Sequence, residues 1–380
     1  MAELSPRARQ AVVRAALALV VIGATSVYYL RPWGVPEPSA QPSAYRAFPV
    51  QRAGDAVGYQ FVSSTRGWAA LAPQPRGEQA GLFSIFKTED AGKHWRRQLS
   101  GHSLLTFTTL LTFRFVDVNR GFLAAGDPLA LYRTNDGGEH WTTLELPTQD
   151  AVTFQFTDAL HLWLFARPRG DPQGVFHPYA SSDGGETWTR RPDLPADPYF
   201  YPTFRNGSEG WSGSADRASP HVFVTVDGGT TWQRRDLPRD EDPPQPVATS
   251  VRLLPQAGVV AYRFPPDKGI QLEQRQSYTS FDGGRSWHAI TSATPNGDLG
   301  NYAFQDPTQW WSVQERALYK TTDAGRTWTV AEAAPDGLLL LRVFDDSHAW
   351  AQLEEGFGTE LVLTADAGLH WTRTNVPISQ

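Results

Sequence analysis

The sequence predicts an all-β protein, a seven-bladed β-propeller of four-stranded antiparallel blades, preceded by one N-terminal membrane-anchor helix. The propeller follows from a segment of the form S/T-x-D-x-G-x-x-W, which occurs seven times in the 380 residues. Its tryptophans are separated by 46, 47, 44, 55, 41 and 43 residues. A repeat of about 40–50 residues is typical of one four-stranded blade. The helix follows from an arginine-bearing segment and an apolar run at the start of the chain.

Each copy of the segment, which we term a box, has fixed positions that indicate a turn followed by a strand. The aspartate is a short acceptor for backbone N–H groups in a turn. The next residue is glycine or alanine, so this position does not demand a positive φ, whereas the glycine that follows in every copy indicates a left-handed conformation. The tryptophan buries about 150–250 Å² against neighbouring strands. We interpret these residues as structural: Asp90, Gly92, Trp95, Asp136, Gly138, Trp141, Asp183, Gly185, Trp188, Asp227, Gly229, Trp232, Asp282, Gly284, Trp287, Asp323, Gly325, Trp328, Asp366, Gly368 and Trp371.

The first 31 residues are predicted to be a signal anchor. An almost wholly apolar run at residues 15–30 is preceded by Arg7, Arg9 and Arg14. This order is typical of export signals and anchors. With its flanks, the segment 12–30 reaches the roughly 17–25 residues that span a bilayer. We expect an uncleaved single-pass anchor, with the N-terminus cytoplasmic and the propeller extracytoplasmic. If the segment is cleaved, the protein is secreted.

The rest of the chain divides into a linker and one domain. Residues 32–43 are rich in proline, which indicates a semi-extended tether, and residues 44–380 are the predicted propeller. The net charge of −6 argues against a nucleic-acid partner reached by bulk electrostatics. The absence of cysteine excludes disulfides, thiolate catalysis and a lipid-modified cysteine. The histidines do not show metal-ligand spacing, so we expect no metal and no cofactor.

Upstream of each box, a second landmark residue follows a turn and opens an alternating stretch. In the second unit, period-two alternation and turn residues predict strands at residues 112–116, 121–125, 130–133 and 140–144. We label the strands of a blade A to D from the ring centre outward. Twelve of the fourteen tryptophans occupy a landmark or box position, which favours a core role over stacking platforms for sugars or bases. The landmarks are Trp68, Phe122, Trp163, Trp211, Val259, Trp311 and Trp350.

The B–C connections differ most in length among the units. Landmark-to-box distances are 27, 19, 25, 21, 28, 17 and 21 residues. Because strands alternate in direction, these connections lie opposite the boxes, and variable loops on a rigid scaffold commonly carry function. The long loops at residues 73–81, 167–179 and 264–276 therefore predict a docking surface for a protein or peptide, with tolerated insertions as the alternative. The residues assigned to this surface are Arg76, Arg167, Arg169, Phe176, His177, Lys268 and Arg275.

Two further groups of arginines stand in predicted strands. Arg114, Arg252 and Arg342 lie in A strands, whose alternate side chains approach the central channel, so they are candidate channel-lining residues for an anion. In the sequence their registers differ between blades, which argues against a common site. The second group follows the box tryptophans and is interpreted as solvated edge charges that discourage sheet-to-sheet pairing. It comprises Arg96–Arg97, Arg190–Arg191 and Arg234–Arg235.

Across residues 55–377, the unit F-x-D-x-x-x-G-W…T-x-D-G-G-x-x-W resembles the photosystem II stability/assembly factor family and its BNR (Asp-box) propeller relatives. The resemblance implies a seven-bladed propeller outside the cytoplasm that binds assembling membrane-protein subunits as a non-catalytic scaffold. Because it rests on scaffold residues, it does not imply a photosynthetic client. The basic patch through which the family binds its partners cannot be assigned residue by residue in this sequence. We expect the propeller to be a monomer. The residues that carry the likeness are Phe115, Asp117, Gly121, Thr134, Asp136, Gly138, Trp141, Phe304, Asp306, Trp311 and residues 321–328.

An enzyme is the alternative function, because sialidases also carry Asp boxes. The sialidase pattern is a six-bladed propeller with an Arg-Ile-Pro motif and an arginine triad. This chain has no Arg-Ile-Pro sequence and no assignable triad. Xyloglucanase-type glycosidases resemble two seven-bladed propellers with a cleft between them, and this chain contains one. No carboxylate pair for acid–base work is apparent. We therefore expect no catalytic residues, and keep a glycoside hydrolase or carbohydrate-binding propeller as the alternative.

Overall fold

Seven four-stranded antiparallel sheets make up the part of the protein that the structure describes, and strands consecutive in the chain lie side by side in each sheet. The computed structural model describes residues 56–72, 81–103, 112–126, 128–167, 176–193, 201–214, 219–238, 248–264, 276–290, 301–314, 317–335, 338–355 and 358–374. All of them belong to the unit formed by residues 38–380. The prediction of a seven-bladed propeller with four-stranded antiparallel blades is confirmed.

The predicted anchor at residues 1–31 and the linker at residues 32–43 lie outside the described residues. In the part of the chain that is described, no helix has the length and apolar character needed to cross a membrane.

The blades contain 28 strands in the described ranges, four to a blade. Blades 1 and 2 comprise β1 (Ala56–Phe61), β2 (Gly67–Ala72), β3 (Gly81–Thr88), β4 (Arg96–Ser103), β5 (Thr112–Phe115), β6 (Gly121–Ala125), β7 (Ala130–Thr134) and β8 (Thr142–Leu144). Blades 3 and 4 comprise β9 (Ala151–Phe156), β10 (Leu162–Ala166), β11 (His177–Ser181), β12 (Thr189–Arg190), β13 (Thr203–Phe204), β14 (Gly210–Ser212), β15 (His221–Thr225) and β16 (Gln233–Asp236).

Blades 5 to 7 follow the same order. They comprise β17 (Ala248–Leu253), β18 (Val259–Phe264), β19 (Gln276–Ser280), β20 (His288–Ala289), β21 (Asn301–Phe304), β22 (Trp310–Gln314), β23 (Ala317–Thr321), β24 (Thr329–Ala333), β25 (Leu338–Val343), β26 (Ala349–Glu355), β27 (Gly358–Thr364) and β28 (Thr372–Arg373). In blade 2 the first three strands agree with the predicted ranges to within one residue. Strand D begins two residues later than predicted, at Thr142, because the box turn extends through Trp141.

Seven clusters of buried apolar side chains each join one blade to the next. Between blades 1 and 2, for example, Trp68 and Phe115 belong to one cluster. An equivalent cluster packs Trp350 of blade 7 against Phe61 of blade 1. The ring therefore closes by side-chain packing between two complete blades, and the described strands show no exchange between the first and last sheets.

The landmark residue of one blade and the box tryptophan of the next blade contact the same residue. That residue is the last one in the A strand of the next blade. Trp68 stacks on Phe115 with ring centroids 3.6 Å apart, and Phe115 meets Trp141 edge-on at 5.9 Å. The same arrangement recurs between blades 3 and 4. Offset and edge-on aromatic contacts contribute beyond their buried area, so these positions hold neighbouring blades together.

In blade 5 the landmark position belongs to Val260, and the prediction of Val259 is wrong by one residue. Val260 pairs with Arg252, as Trp68 pairs with Gln60 in blade 1, and Val260 packs toward blade 6. Val259 faces blade 4. Successive side chains of a strand point to opposite faces, so a shift of one residue reverses the blade that the landmark contacts.

In each box, a hydroxyl group and the aspartate form a closed hydrogen-bonded unit. In blade 2, Thr134 Oγ1 donates to Asp136 Oδ1 at 2.9 Å and accepts the Gly138 N–H at 2.8 Å. The His140 N–H donates to Asp136 Oδ1 at 2.9 Å, and His140 Nδ1 lies 2.7 Å from Oδ2. The other boxes repeat the pattern with His, Thr or Ser at the position directly before the tryptophan. The box histidines therefore bond their own turn.

The residue after the box aspartate has a positive φ in every blade, although the presence of alanine in three boxes indicated that the position does not demand one. The angle is 61° at Ala91, 60° at Ala324 and 65° at Ala367, and it is 67–74° at the glycines in this position. The Ala91 N–H donates to Thr65 O in the A–B turn at 2.9 Å, which holds the backbone there. The turn thus tolerates a left-handed alanine, which costs roughly 1–2 kcal/mol. The following glycine has a φ of 76–95° in all seven boxes, as the sequence predicts.

Candidate functional site

The boxes and the A–B turns share one face of the ring, which we call the box face. In six blades, the N–H after the box aspartate donates to a carbonyl of the A–B turn in the same blade; from Gly137 to Asn119 the distance is 2.6 Å. Because antiparallel strands reverse direction at each turn, the B–C and D–A connections lie on the opposite face. We call that side the loop face, and it carries the long B–C loops.

Three aromatic residues and one arginine meet on the loop face where blade 3 adjoins blade 4, and we call them the loop-three cluster. The ring centroid of Phe176, in the B–C loop of blade 3, lies 4.6 Å from that of Tyr201. Tyr201 also contacts Phe165, at 5.6 Å. The Arg167 guanidinium carbon lies 4.6 Å from the Phe176 centroid, within cation–π range. Burial raises the pKa of Tyr201, and the charge of Arg167 opposes that rise.

His177 belongs to a polar group on the outer strands of blade 3. His177 Nδ1 lies 2.7 Å from Asp193 Oδ1, and Arg190 Nη2 donates to the same oxygen at 2.6 Å. These contacts anchor the start of β11 to the end of the outer strand. Of the predicted docking residues, the structure thus brings Arg167 and Phe176 together, whereas the polar contacts of His177 are with the outer part of the blade.

Sequence reasoning did not single out Phe165 or Tyr201. Tyr201 belongs to the D–A connection that leads into blade 4, and length variation directs attention to the B–C loops alone. The available signal was the aromatic run at residues 199–201. Four further predicted docking residues lie outside the described residues, and their assignment stays a prediction: Arg76, Arg169, Lys268 and Arg275.

The three candidate channel arginines occupy the same position in their blades, and the prediction that their registers differ is wrong. Each directly precedes the last residue of an A strand and pairs with the landmark residue of its B strand. The pairs are Arg114 with Phe122, Arg252 with Val260, and Arg342 with Trp350. The error follows from the misassigned landmark of blade 5. Counted from Val259 instead of Val260, Arg252 lies one residue closer to its landmark than the arginines of the other two blades do.

Several arginines of the outer half of the blades bond the next blade. Arg96 pairs with Glu139 in the box of blade 2, and Arg235 Nε donates to Gly283 O in the box of blade 5 at 3.1 Å. The prediction that these residues are solvated edge charges is therefore wrong for both, because each reaches a box on the adjoining blade.

The box carboxylates are held ionised by hydrogen bonds. The Thr187 side chain and N–H hold the pKa of Asp183 at about 2, and the same groups of Thr231 hold the pKa of Asp227 at about 2. A glycosidase general acid needs a raised pKa, and no described carboxyl group has its pKa displaced upward. Within the described ranges, no group of three or more His, Asp or Glu residues could hold a metal ion.

Acid should weaken the propeller through its boxes. The folded pKa of Asp183, Asp227 and Asp366 is about 2, below the ordinary 3.8. Each group therefore contributes stability that is complete above about pH 4 and is lost as the pH falls toward about 2. We expect the urea midpoint, followed by tryptophan fluorescence, to fall steadily across this window. Replacing the three aspartates with asparagine should flatten part of that slope, and an unchanged slope would contradict this assignment.

Comparisons with known proteins agree with this architecture. The BNR/Asp-box repeat family matches residues 278–289, which contain the box of blade 5. The photosystem II assembly lipoprotein Ycf48 of Synechococcus sp. (strain CC9902) is 24% identical over 288 residues, covering 65% of this chain and 83% of that protein. The structure of YCF48 bound to D1 peptide has a TM-score of 0.50 and 13% identity, covering 88% of this chain and 100% of that one.

The chain is a seven-bladed Asp-box propeller similar to Ycf48. The same fold also occurs in an enzyme: an ancestral GH74 enzyme has a TM-score of 0.51 and 14% identity to this chain, covering 86% of this chain and 47% of that one. At such low identity the structural likeness shows the fold alone. The sequence similarity to an assembly protein supports an assembly or binding role for the Asp-box propeller.

Proposed function

We propose that this Asp-box propeller is a non-catalytic scaffold that binds a protein segment on its loop face. The loop-three cluster carries the proposal. Its rings come from two blades, Tyr201 remains 38% exposed, and Arg167 lies against Phe176. Aromatic residues and arginine are enriched among the residues that dominate protein interfaces. A half-open aromatic surface beside a positive charge therefore suits an apolar or aromatic side chain of a bound segment.

The relatives support a protein ligand. Ycf48 is named a photosystem II assembly protein, and one solved structure holds YCF48 with a D1 peptide. By analogy with these relatives, we infer that the client is a segment of an assembling membrane protein, and that client need not be photosynthetic. The low pKa of the Asp183 and Asp227 carboxyl groups makes these two box residues unsuitable as the general acid of a glycosidase.

We also propose that the propeller lies outside the cytoplasm and is tethered by residues 12–30. The Synechococcus relative is named a lipoprotein, whereas the present sequence has no cysteine to carry a lipid. An apolar N-terminal segment would give the same attachment. The full chain should stay in the membrane fraction after alkaline carbonate treatment, and protease added to spheroplasts should digest the propeller. Release by carbonate, or protection from protease, would contradict this placement.

Affinity purification from gently solubilised membranes tests the proposed binding. The Phe176→Ala/Tyr201→Ala variant should lose a partner that the unmodified chain recovers, because interface hot spots cost about 2 kcal/mol or more when truncated. Phe281→Ala is the matched control, since Phe281 is 43% exposed and lies in a turn of the box face. Equal recovery of the partner by both variants would sink the loop-face assignment.

The enzyme alternative has its own assay. The purified full chain should release no fluorophore from sialoside or β-glucan conjugates. Turnover that is lost on replacing a described carboxylate would establish a glycosidase in place of the scaffold.

A further inference from the structure

The A strands surround the centre of the ring, and one side-chain position on them follows the channel wall. A strands of adjacent blades contact each other, as β5 contacts β9 and β21 contacts β25. In blade 1, Gln60 Nε2 donates to Phe115 O at 2.7 Å, and Gln60 Oε1 accepts the Phe115 N–H at 2.8 Å. Gln155 makes the same pair of bonds to Phe204 of blade 4. The residue before the last in an A strand therefore reaches across to the next A strand.

Arginine occupies this position in blades 2, 5 and 7, and all three arginines are solvent-exposed. Arg252 Nη1 donates to Tyr302 O in the next A strand at 3.4 Å. Arg342 Nη1 donates to the neighbouring Leu341 O at 3.3 Å. The equivalent residues of blades 4 and 6 are Thr203 and the buried Ala303, so neither blade adds a charge at this level.

No described carboxylate forms an ion pair with Arg114, Arg252 or Arg342. Other arginines that bridge or brace blades do have acidic partners: Arg96 pairs with Glu139, Arg133 with Glu186, and Arg205 with Glu209. Arg114, Arg252 and Arg342 thus place three positive charges at one position of the A strands without an acidic partner among the described residues.

The charge of Arg342 also interacts with the charges of Arg252 and Arg114. Burial, followed by the positive charges of Arg252 and Arg114, lowers the pKa of Arg342, and burial lowers the pKa of Arg114. Solvent nevertheless reaches each side chain. A water-filled channel walled by protein accounts for both observations. Because like charges held close together repel, an anion between them would remove an unfavourable interaction.

We propose that the central channel binds a small oxyanion with two or more negative charges, held by Arg114, Arg252 and Arg342. Guanidinium groups donate paired N–H bonds that match phosphate and carboxylate oxygens. Donors from three blades can surround a compact anion, and such an anion links blades that are not neighbours. The site is independent of the loop-face proposal, because it uses different residues and lies toward the box end of the A strands.

Calorimetric titration of the full chain in detergent with pyrophosphate, citrate and chloride at matched ionic strength tests the site. The channel variant is Arg114→Gln/Arg252→Gln/Arg342→Gln; glutamine is the native residue at this position in blades 1 and 3. The control is Arg66→Gln/Arg97→Gln/Arg285→Gln, which changes the net charge equally at exposed positions. We expect the channel variant to bind pyrophosphate at least about tenfold more weakly, and the control to change affinity by less than about twofold.

The relative affinities of the two multivalent anions and the melting temperatures also test the channel site. Tighter binding of pyrophosphate assigns a phosphate ligand and tighter binding of citrate a carboxylate ligand, and both support the site. In anion-free buffer, the channel variant should melt at a higher temperature than the unmodified chain; a lower melting temperature counts against the proposal. Equal affinity in all three proteins, or no binding of either multivalent anion, overturns it. If the triple variant does not fold, Arg342→Gln against Arg285→Gln gives the same comparison.

Discussion

Replacing Trp68 with alanine should lower the free energy of unfolding by about 3–5 kcal/mol, the usual cost of truncating a packed tryptophan. The Trp68 side chain is fully buried and stacks on Phe115 of the next blade at 3.6 Å. Its Nε1–H donates to Gly137 O at 3.1 Å. The substitution therefore leaves a cavity between blades 1 and 2 and removes the hydrogen-bond donor to a box carbonyl. Urea unfolding measures the loss, and Val330→Ala, at a residue 67% exposed, should change stability by no more than about 0.5 kcal/mol.

A matched pair separates packing from hydrogen bonding at this joint. Trp163 is as deeply buried as Trp68 and stacks on Phe204 at 3.5 Å, but its Nε1 has no partner in the described structure. Trp68→Phe should therefore cost about 1 kcal/mol more than Trp163→Phe, since only the first breaks a hydrogen bond. Equal costs would show that ring packing alone holds both joints.

Gly213→Ala should destabilise the joint between blades 4 and 5 by about 3 kcal/mol, the upper part of the range for overpacking. A Cβ on Gly213 would overlap the carbonyl oxygen of Thr249. That atom is backbone and cannot rotate away. The two segments are also bonded to each other, since the Thr249 N–H donates to Ser214 O at 2.9 Å and the Ser214 N–H donates to Thr249 Oγ1 at 2.8 Å. The blades must therefore separate to admit the methyl group.

Gly283→Ala is the control for the glycine change. Gly283 has a φ of 74°, but, apart from its two chain neighbours, the nearest atom to an added Cβ is Nη1 of the flexible Arg285 side chain, at 3.9 Å. Alanine already fills this box position in blades 1, 6 and 7. The substitution should cost about 1 kcal/mol, from backbone strain partly offset by the lower entropy of the unfolded chain. If thermal unfolding showed it to be as costly as Gly213→Ala, backbone contact at Gly213 would not be the cause.

The box pattern predicts the number of blades and the orientation of the two faces because its chemistry is local. Thr134, Asp136 and Gly138 bond one another within five residues, so spacing in sequence is enough to identify the turn. The left-handed alanine at Ala91 was missed because the cause is not local: its N–H is fixed by the A–B turn, at Thr65. A propensity argument describes what alanine prefers and does not include what a neighbouring turn imposes.

The candidate sites depended on register and on contacts between blades, which the sequence expresses weakly. One misplaced landmark, Val259 for Val260, concealed the common position of Arg252 and the other channel arginines. Tyr201 joins Phe176 only because the connection into blade 4 returns to the loop face beside blade 3. Loop length directed attention to the loop face but could not show which side chains meet there.

We propose that a protein partner binds the loop face and that the box face is a structural surface. Site-specific photo-crosslinking in intact membranes tests this most directly. A photoreactive phenylalanine analogue placed at Phe176 should crosslink to a discrete partner, whereas the same analogue at Phe281 should not. The two positions carry the same side chain on opposite faces of the ring. A partner captured from position 281 and absent from position 176 would contradict the account.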